Sequence, residues 1–251
     1  MLLSNNWPDG VGRLVLPQID STNAEAARLA PPLSAPHWIL ALRQTKGRGR
    51  RGREWHDPED NFAATYICQP GGPADQVALR SFVAALALHE ALVTVTGRPE
   101  AFALKWPNDV LLNGGKLAGI LLESVGQGAQ LGHLAIGIGV NLRHAPVAEA
   151  GAMAPVSLMG ETGLALSPEE FLDILAPAFA RWDGQFATYG FAPIRAAWME
   201  RAARLGQGIV ARLVQESHEG IFEGIDETGA LILRTSQGRR RIAAADVFFS
   251  Q

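Results

Sequence analysis

Residues 43–53 read Arg-Gln-Thr-Lys-Gly-Arg-Gly-Arg-Arg-Gly-Arg, six basic residues and three glycines in eleven positions, with Trp55 two residues further on. Cations this dense repel one another and need a counterpart. Gly47, Gly49 and Gly52 remove Cβ bulk and free the backbone to approach a ligand. The guanidinium groups of Arg48, Arg50, Arg51 and Arg53 offer planar forks of donors that match phosphate or carboxylate oxygens. The chemistry suggested is a flexible loop that closes around an anion. A solvated basic loop or a nucleic-acid patch is the alternative. Lys116 opens a second candidate: it starts an apolar run whose small residues, Ala118 and Gly119, leave room on one face, so an ammonium there would suit a carboxylate ligand, or equally sit in water at a strand edge. Asn141 ends the run Leu-Ala-Ile-Gly-Ile-Gly-Val-Asn over 134–141; its amide could read a purine edge or serve a turn, and glycine within a strand often marks close approach by a ligand. Ser21 and Thr22 head an alanine-rich segment, where hydroxyls at a helix N-terminus could face a small polar ligand.

The elements that must position these groups follow from periodicity. Residues 12–18, 38–42 and 61–68 read as strands, and the second delivers the chain into the basic loop. A helix is expected from about 22, with Thr22 and Glu25 at capping-box spacing. Another is expected over 74–96, ended by Gly97. Pro107-Asn108-Asp109 and Asn113-Gly114-Gly115 predict two turns joining short strands. Residues 147–163 read as loop with a short helix. Ser167-Pro168-Glu169-Glu170 starts a helix running to about 189, and 191–205 reads as one more. From 206 the pattern changes to short β runs at 209–214, 220–225, 230–234 and 239–242. We place a boundary near 204–207, followed by a small β-barrel of about 45 residues with Arg239, Arg240 and Arg241 on a solvated edge.

Bulk composition narrows the classes. Hydrophobic content of 47% against 19% charged describes a globular chain rather than a disordered one. A net charge of −3 and a pI near 6.1 make the basic loop a local device rather than part of a polyanion-binding surface. Cys68 is a single thiol in an apolar run, which suits a reducing compartment and reads as a small buried hydrophobe. No run of about 18 apolar residues is evident, and Met1-Leu2-Leu3-Ser4 lacks the features of a signal peptide, so a cytoplasmic protein without membrane contact is expected. His89 has no second ligand at metal spacing and reads as a packing residue.

Five motifs then resemble one family in both order and spacing: Gly47–Arg53, Lys105-Trp106-Pro107-Asn108-Asp109, Lys116–Leu121, Gly137–Asn141, and Ser21-Thr22-Asn23 with Gln44. This is the pattern of biotin protein ligases, and it covers nearly the whole chain. The resemblance implies an α+β fold, a mixed β-sheet flanked by helices of the class II synthetase-like biotin/lipoate ligase type over 1–204, with a small SH3-like β-barrel over 205–251. It implies a two-step reaction: biotin carboxylate and ATP give biotinyl-5'-AMP and pyrophosphate, then a lysine of a biotin carboxyl carrier domain takes the biotin and AMP leaves. Mapped by motif, Ser21, Thr22, Asn23 and Gln44 would hold biotin. Arg48, Gly49 and Arg50 would wrap the carboxyl and phosphate region, Gly47 and Lys116 would belong to the biotin site, and Gly119 and Gly137 would leave space for a flat ligand. Lys116, Arg48 and Arg50 would carry the catalytic charge. Arg50, Arg51, Arg53, Trp55, Lys105, Asn108 and Asn141 would serve ATP and the adenylate, with Trp55 over the adenine, and Asp109 would bind Mg²⁺. Lys46 stands where the family carries a small residue, and Ala244-Ala245-Asp246 lacks the usual glycine before the aspartate. The pattern starts by residue 12, which implies a ligase without an operator-binding domain, and it admits a homodimer. A lipoate-type ligase of the same fold and a non-catalytic effector- or nucleic-acid-binding module are the competing readings.

Overall fold

The computed structural model describes residues 7–55, 58–126, 132–148 and 153–249. Residues 1–4, read against a signal peptide, and 149–152 of the expected loop lie outside these.

The expected α+β organisation is present. The first sheet contains β1 (Gly12–Leu16), β2 (His37–Ala41), β3 (Phe62–Cys68), β4 (Phe102–Lys105), β5 (Asp109–Leu112), β6 (Gly115–Val125) and β7 (His133–Val140), in the order β1-β2-β3-β7-β6-β5-β4. β1 and β2 are parallel and joined through α1 (Thr22–Leu29); the other pairs are antiparallel, so the sheet is mixed. Strand alternation gives the sheet two different faces. Trp38, Leu40, Phe62, Tyr66, Ile120, Ile138 and Val140 lie in the large apolar core. α3 (Arg80–Thr96) and α5 (Pro168–Tyr189) cover that face, with Phe179 5.5 Å from the Trp38 ring and 4.6 Å from Tyr66. Each such buried side chain stabilises the fold by about 1.5–3 kcal/mol. On the opposite face α1 seats Ala26 and Ala30 against Ile39, Ile67 and Ala135, a much smaller cluster.

Three helical expectations shift. The helix read over 74–96 is two pieces, α2 (Ala74–Ala78) and α3, because Leu79 and Phe82 make tight i→i−3 bonds of 3.2 and 3.0 Å. By length and hydropathy Asp75–Thr96 could cross a membrane, yet α3 buries ten residues in the core. The Thr22–Glu25 capping box does not form: Ser21 is the N-cap, without a side-chain bond, and the Glu25 carboxylate pairs with Arg28 at 2.6 Å. The helix read over 191–205 ends at Glu200, as α6 (Phe191–Glu200), after the short α4 (Leu158–Thr162) and α5. Its continuation is claimed by β4, since Leu104 N–H donates to Arg201 O and Ala203 N–H to Leu104 O, each at 2.8 Å. The helix start expected at Ser167 is present, with a Ser167/Glu170 capping box, and so is the Gly97 C-cap, in left-handed conformation.

The C-terminal sheet comprises β8 (Gly208–Arg212), β9 (Ser217–Ile225), β10 (Leu231–Thr235), β11 (Gly238–Ile242) and β12 (Asp246–Phe249), in the antiparallel order β11-β10-β9-β8-β12. β12 was not among the expected β runs. β11 is an exposed edge, as expected, although Arg239 pairs with Glu223 at 3.0 Å and Arg241 with Asp226. Ile209, Phe222, Ile225 and Leu231 join the same apolar core as the first sheet. At the seam Gly229, at φ +77°, packs beneath Leu79 and Phe82, and Trp106 Nε1–H donates to its carbonyl at 3.0 Å.

His89 is a packing residue, with its ring 6.4 Å from that of Phe102 and its basicity lowered to about 4 by burial, with nearby Arg201 adding to the effect. The neutral ring therefore stabilises the fold fully above the unfolded value near 6.5, and this contribution is lost as pH falls from there toward 4. Between pH 7 and 4 the urea stability of the protein will fall by about 3 kcal/mol more than that of a His89→Leu variant. Parallel profiles would remove His89 as an acid-sensitive group. Cys68 is likewise held as a thiol, pushed up to about 12 mainly by burial.

Candidate active site

The floor of the site is made by absence of side chains. Gly119 of β6 pairs with Gly139 of β7, Asp109 of β5 pairs with Gly119, and Thr65 of β3 pairs with Gly137. Paired residues share a face, so Gly119, Gly137 and Gly139 form one bare patch with Asp109 on one side and Thr65 on the other. Gly137, Gly139 and Asn141 follow at two-residue steps, which spreads them over ~13 Å along one face. Above the patch lies a cavity of about 520 Å³, within the range of small-ligand sites. Of the sequence-expected residues, Ser21, Thr22, Asn23, Gln44, Arg48, Gly49, Arg50, Arg53, Trp55, Lys105, Asn108, Asp109, Lys116, Gly119, Gly137 and Asn141 all line it. Gly47 and Arg51 do not.

The N-terminus of α1 supplies a polar cluster over Gly137. Gln44 Oε1 accepts from Thr22 N–H at 2.8 Å and from its hydroxyl at 3.2 Å. The Thr65 hydroxyl lies 2.8 Å from Thr22 Oγ1 and 2.6 Å from Asn23 Oδ1, and can donate to either. Asn23 Nδ2 donates to Glu123 at 2.7 Å, an oxygen that also accepts from Arg48 at 3.3 Å. Both ends of the Asn23 amide are thereby occupied. The space expected beside Gly137 is filled by this amide, since a Cβ there would collide with it. Thr65 and Glu123 escaped the sequence reading; mid-strand polar residues carry no motif of their own.

Lys116 and Lys105 grip one carboxylate. Lys116 Nζ lies 2.8 Å from Asp109 Oδ1 and Lys105 Nζ 3.2 Å from Oδ2. Burial alone would raise the Asp109 carboxyl, but the two ammonium groups outweigh it and hold it below its usual range. The lysines differ in reach: the Lys105 side chain is 9% exposed and that of Lys116 34%, so Lys116 is the one that faces solvent in the cavity. Lys105, expected on phosphate, lines the cavity and is the more buried of the two partners of Asp109. The donor set does not fit a resident Mg²⁺ ion at Asp109. Both its oxygens face ammonium groups, and no group of three His, Cys, Asp or Glu able to hold a metal occurs among the described residues.

The basic loop is folded rather than open. Gly49 N–H donates to Arg53 O at 2.7 Å and Trp55 N–H to Gly47 O at 3.0 Å, closing a narrow flap. Its tip carries Arg51 at φ 57° and Gly52 at φ 72°. Lys46, the family departure, is exposed, and its N–H bonds to Asp20 O at 2.8 Å. The flap lays the Trp55 indole on the glycine floor: a Cβ at Gly119 would stand 3.2 Å from it, and one at Gly139 would collide with it. The room expected at Gly119 is thus taken by Trp55. Gly139 was missed as a site residue, although its two-residue spacing from Gly137 was the available signal.

Arg50 Nη1 donates to Asn108 Oδ1 at 3.2 Å, and Asn108 Nδ2 to Ile120 O at 2.6 Å. Burial lowers the pKa of the Arg50 guanidinium, so an anion in the cavity would relieve a strained cation. Arg51 and Arg53 reach Asp246 of β12 at 2.9 and 3.1 Å, a pairing that no motif announced. Beyond Trp55, Asn141 Nδ2 donates to Val156 O at 3.0 Å, while its Oδ1 is buried without a hydrogen-bond partner among the described residues. An orphaned acceptor beside a cavity calls for a ligand N–H.

Comparison with known proteins agrees with this geometry. The family model for the Biotin/lipoate A/B protein ligase family matches residues 15–141, and that for the Biotin protein ligase C terminal domain matches 205–250. The chain is 60% identical to a Biotin--[acetyl-CoA-carboxylase] ligase of Paracoccus denitrificans over 238 residues, 94% of this chain and 99% of the relative. It is 30% identical to the Bifunctional ligase/repressor BirA of Bacillus subtilis, over 91% of this chain and 71% of that one. Its fold matches a biotin protein ligase from Aquifex aeolicus in complex with biotin and ATP, with a TM-score of 0.82 and 26% identity over 95% of this chain and 99% of the other. On sequence, fold and site together, the chain belongs to the biotin protein ligase family.

Proposed function

We propose that the protein is an ATP-dependent biotin protein ligase that biotinylates a lysine of a biotin carboxyl carrier domain. In the first step a biotin carboxylate oxygen forms a bond to the α-phosphorus of ATP and the α–β bridge bond breaks, releasing pyrophosphate. In the second, the carrier amine attacks the acyl carbon, AMP leaves, and the amine proton passes to solvent. Neither step needs a protein nucleophile, so the task is positioning and charge stabilisation. Lys116 and Arg50 meet charge at the reacting phosphate, Arg48 flanks the carboxylate, and the Thr22–Gln44 cluster takes the ureido head. Asn141 Oδ1 accepts from the adenine amine, and Trp55 must shift from the glycine floor to stack on the base. A divalent ion would enter on the nucleotide's own phosphates rather than in a protein cage, and no step is assigned to it.

The observation that carries this reading is the single strip along β7. Gly137 faces the polar cluster, Gly139 lies under the Trp55 ring of the flap, and Asn141 offers the unmet acceptor. Incubation with ATP, Mg²⁺ and biotin should release pyrophosphate and build an acyl-adenylate without any protein acceptor. Turnover with lipoate but not biotin would overturn the biotin assignment. No turnover with either, together with RNA binding that weakens steeply with salt, would overturn the enzyme assignment.

A further inference from the structure

We infer that Asp246, on the C-terminal sheet, is a positioning residue that clamps the arginine flap over the ligand cavity. The inference rests on the ligase reading for what the flap encloses, but the contact itself is independent of it. One carboxylate gathers three guanidinium groups: Arg51 at 2.9 Å, Arg53 at 3.1 Å and Arg50 at 3.8 Å. These are residues of the same flap, some 195 positions away in sequence.

Two further observations show that the contact is built rather than incidental. Asp246 is rigidly mounted. It opens β12 and pairs with Arg212 of β8, and its neighbours Ala245 and Val247 are 0% and 6% exposed. Arg51, by contrast, is held at φ 57°, a left-handed conformation that is unfavourable for a non-glycine residue and persists where surrounding contacts fix it. The tip is therefore bent into an unfavourable backbone state that points its side chain at the carboxylate. Val247, Phe248 and Phe249, which follow Asp246, line the ligand cavity with Arg48, Arg50 and Arg53. The C-terminal sheet thus forms both a wall of the cavity and the catch for its flap. The catch also offsets the mutual repulsion of the flap arginines while no phosphate is bound. With the acyl-adenylate in place, Arg50 turns to the phosphate while Arg51 and Arg53 stay on Asp246 and keep the intermediate from escaping.

The test reads the flap directly. In the ligand-free protein, trypsin cleavage after Arg50, Arg51 and Arg53, mapped by mass spectrometry, should be about tenfold faster in Asp246→Asn than in wild type at an unchanged melting temperature. Asp246→Glu should restore protection. In the loaded enzyme, acyl-adenylate should dissociate about tenfold faster from Asp246→Asn, through loss of charge-assisted contacts. Should Asp246→Asn fold poorly, the Arg51→Gln/Arg53→Gln double variant removes the same pairs from the flap side, and release of the intermediate should quicken likewise. Wild-type cleavage rates in folded Asp246→Asn would overturn the clamp whether or not the protein makes an adenylate, whereas a protected wild-type flap in a chain that makes none would overturn the ligase reading and leave the clamp standing.

Discussion

Glutamine in place of Lys116 will slow acyl-adenylate formation by about 10²–10³-fold, the usual cost of removing one preorganised donor from developing negative charge. The substitution keeps a hydrogen-bond donor on a side chain one atom shorter but removes the cation that stands 2.8 Å from Asp109 and faces the cavity. The loss should fall on kcat more than on the KM for biotin, because the charge matters most when the α-phosphate oxygens are most negative. Arginine should rescue poorly, since a planar fork cannot take the place of a compact ammonium against both carboxylate and phosphate. Pyrophosphate release at saturating ATP and biotin measures the effect. A variant turning over within about threefold of wild type would exclude Lys116 from the reacting centre.

The second large effect is on stability. Asp109→Ala will lower the free energy of unfolding by about 3–5 kcal/mol, because it leaves the buried Lys105 cation without a compensating anion and beside the Lys116 ammonium. The Asp109 and Lys105 side chains are 10% and 9% exposed, so solvent cannot take over that role. The pH dependence follows from the same pair. The carboxyl is depressed below its ordinary 3.8, so its contribution is complete above that value and lost only as pH falls through the lower, folded-state value. Urea unfolding at pH 7 checks the prediction. A loss below about 1 kcal/mol, accompanied by a raised Mg²⁺ requirement, would instead favour the metal-ligand role that the motif implied.

The parts of the site legible in sequence were those written locally. The flap announces itself through charge density and glycine. Lys116 sits beside small residues on an apolar strand. The strands themselves follow from alternation, and the helix starting at Ser167 from its cap. What escaped were relations between distant segments. Nothing near Asp109 in the chain says that Lys105 and Lys116 will converge on it, because the convergence depends on the β4-β5-β6 register. Gly119 and Gly137 are readable as clearings, but which side chains fill them depends on where the flap and α1 come down. The helix read to 205 stops at Glu200 because β4 competes for the following backbone, a tertiary effect that outweighs propensity. Asp246 was named as the aspartate of the C-terminal pattern but given no role at the site, because its partners lie at the far end of the chain.

The seam at Gly229 bears on how the molecule comes apart. Leu79, Phe82 and Trp106 press on a turn of the C-terminal sheet, and apolar residues of both sheets belong to one continuous interior. Neither half can let go without wetting the other, so calorimetry should record one melting peak, with matching calorimetric and van't Hoff enthalpies, rather than two. A fragment cut at the linker would keep its catalytic residues yet carry a raw oily scar, and would be expected to precipitate rather than to work as a smaller enzyme.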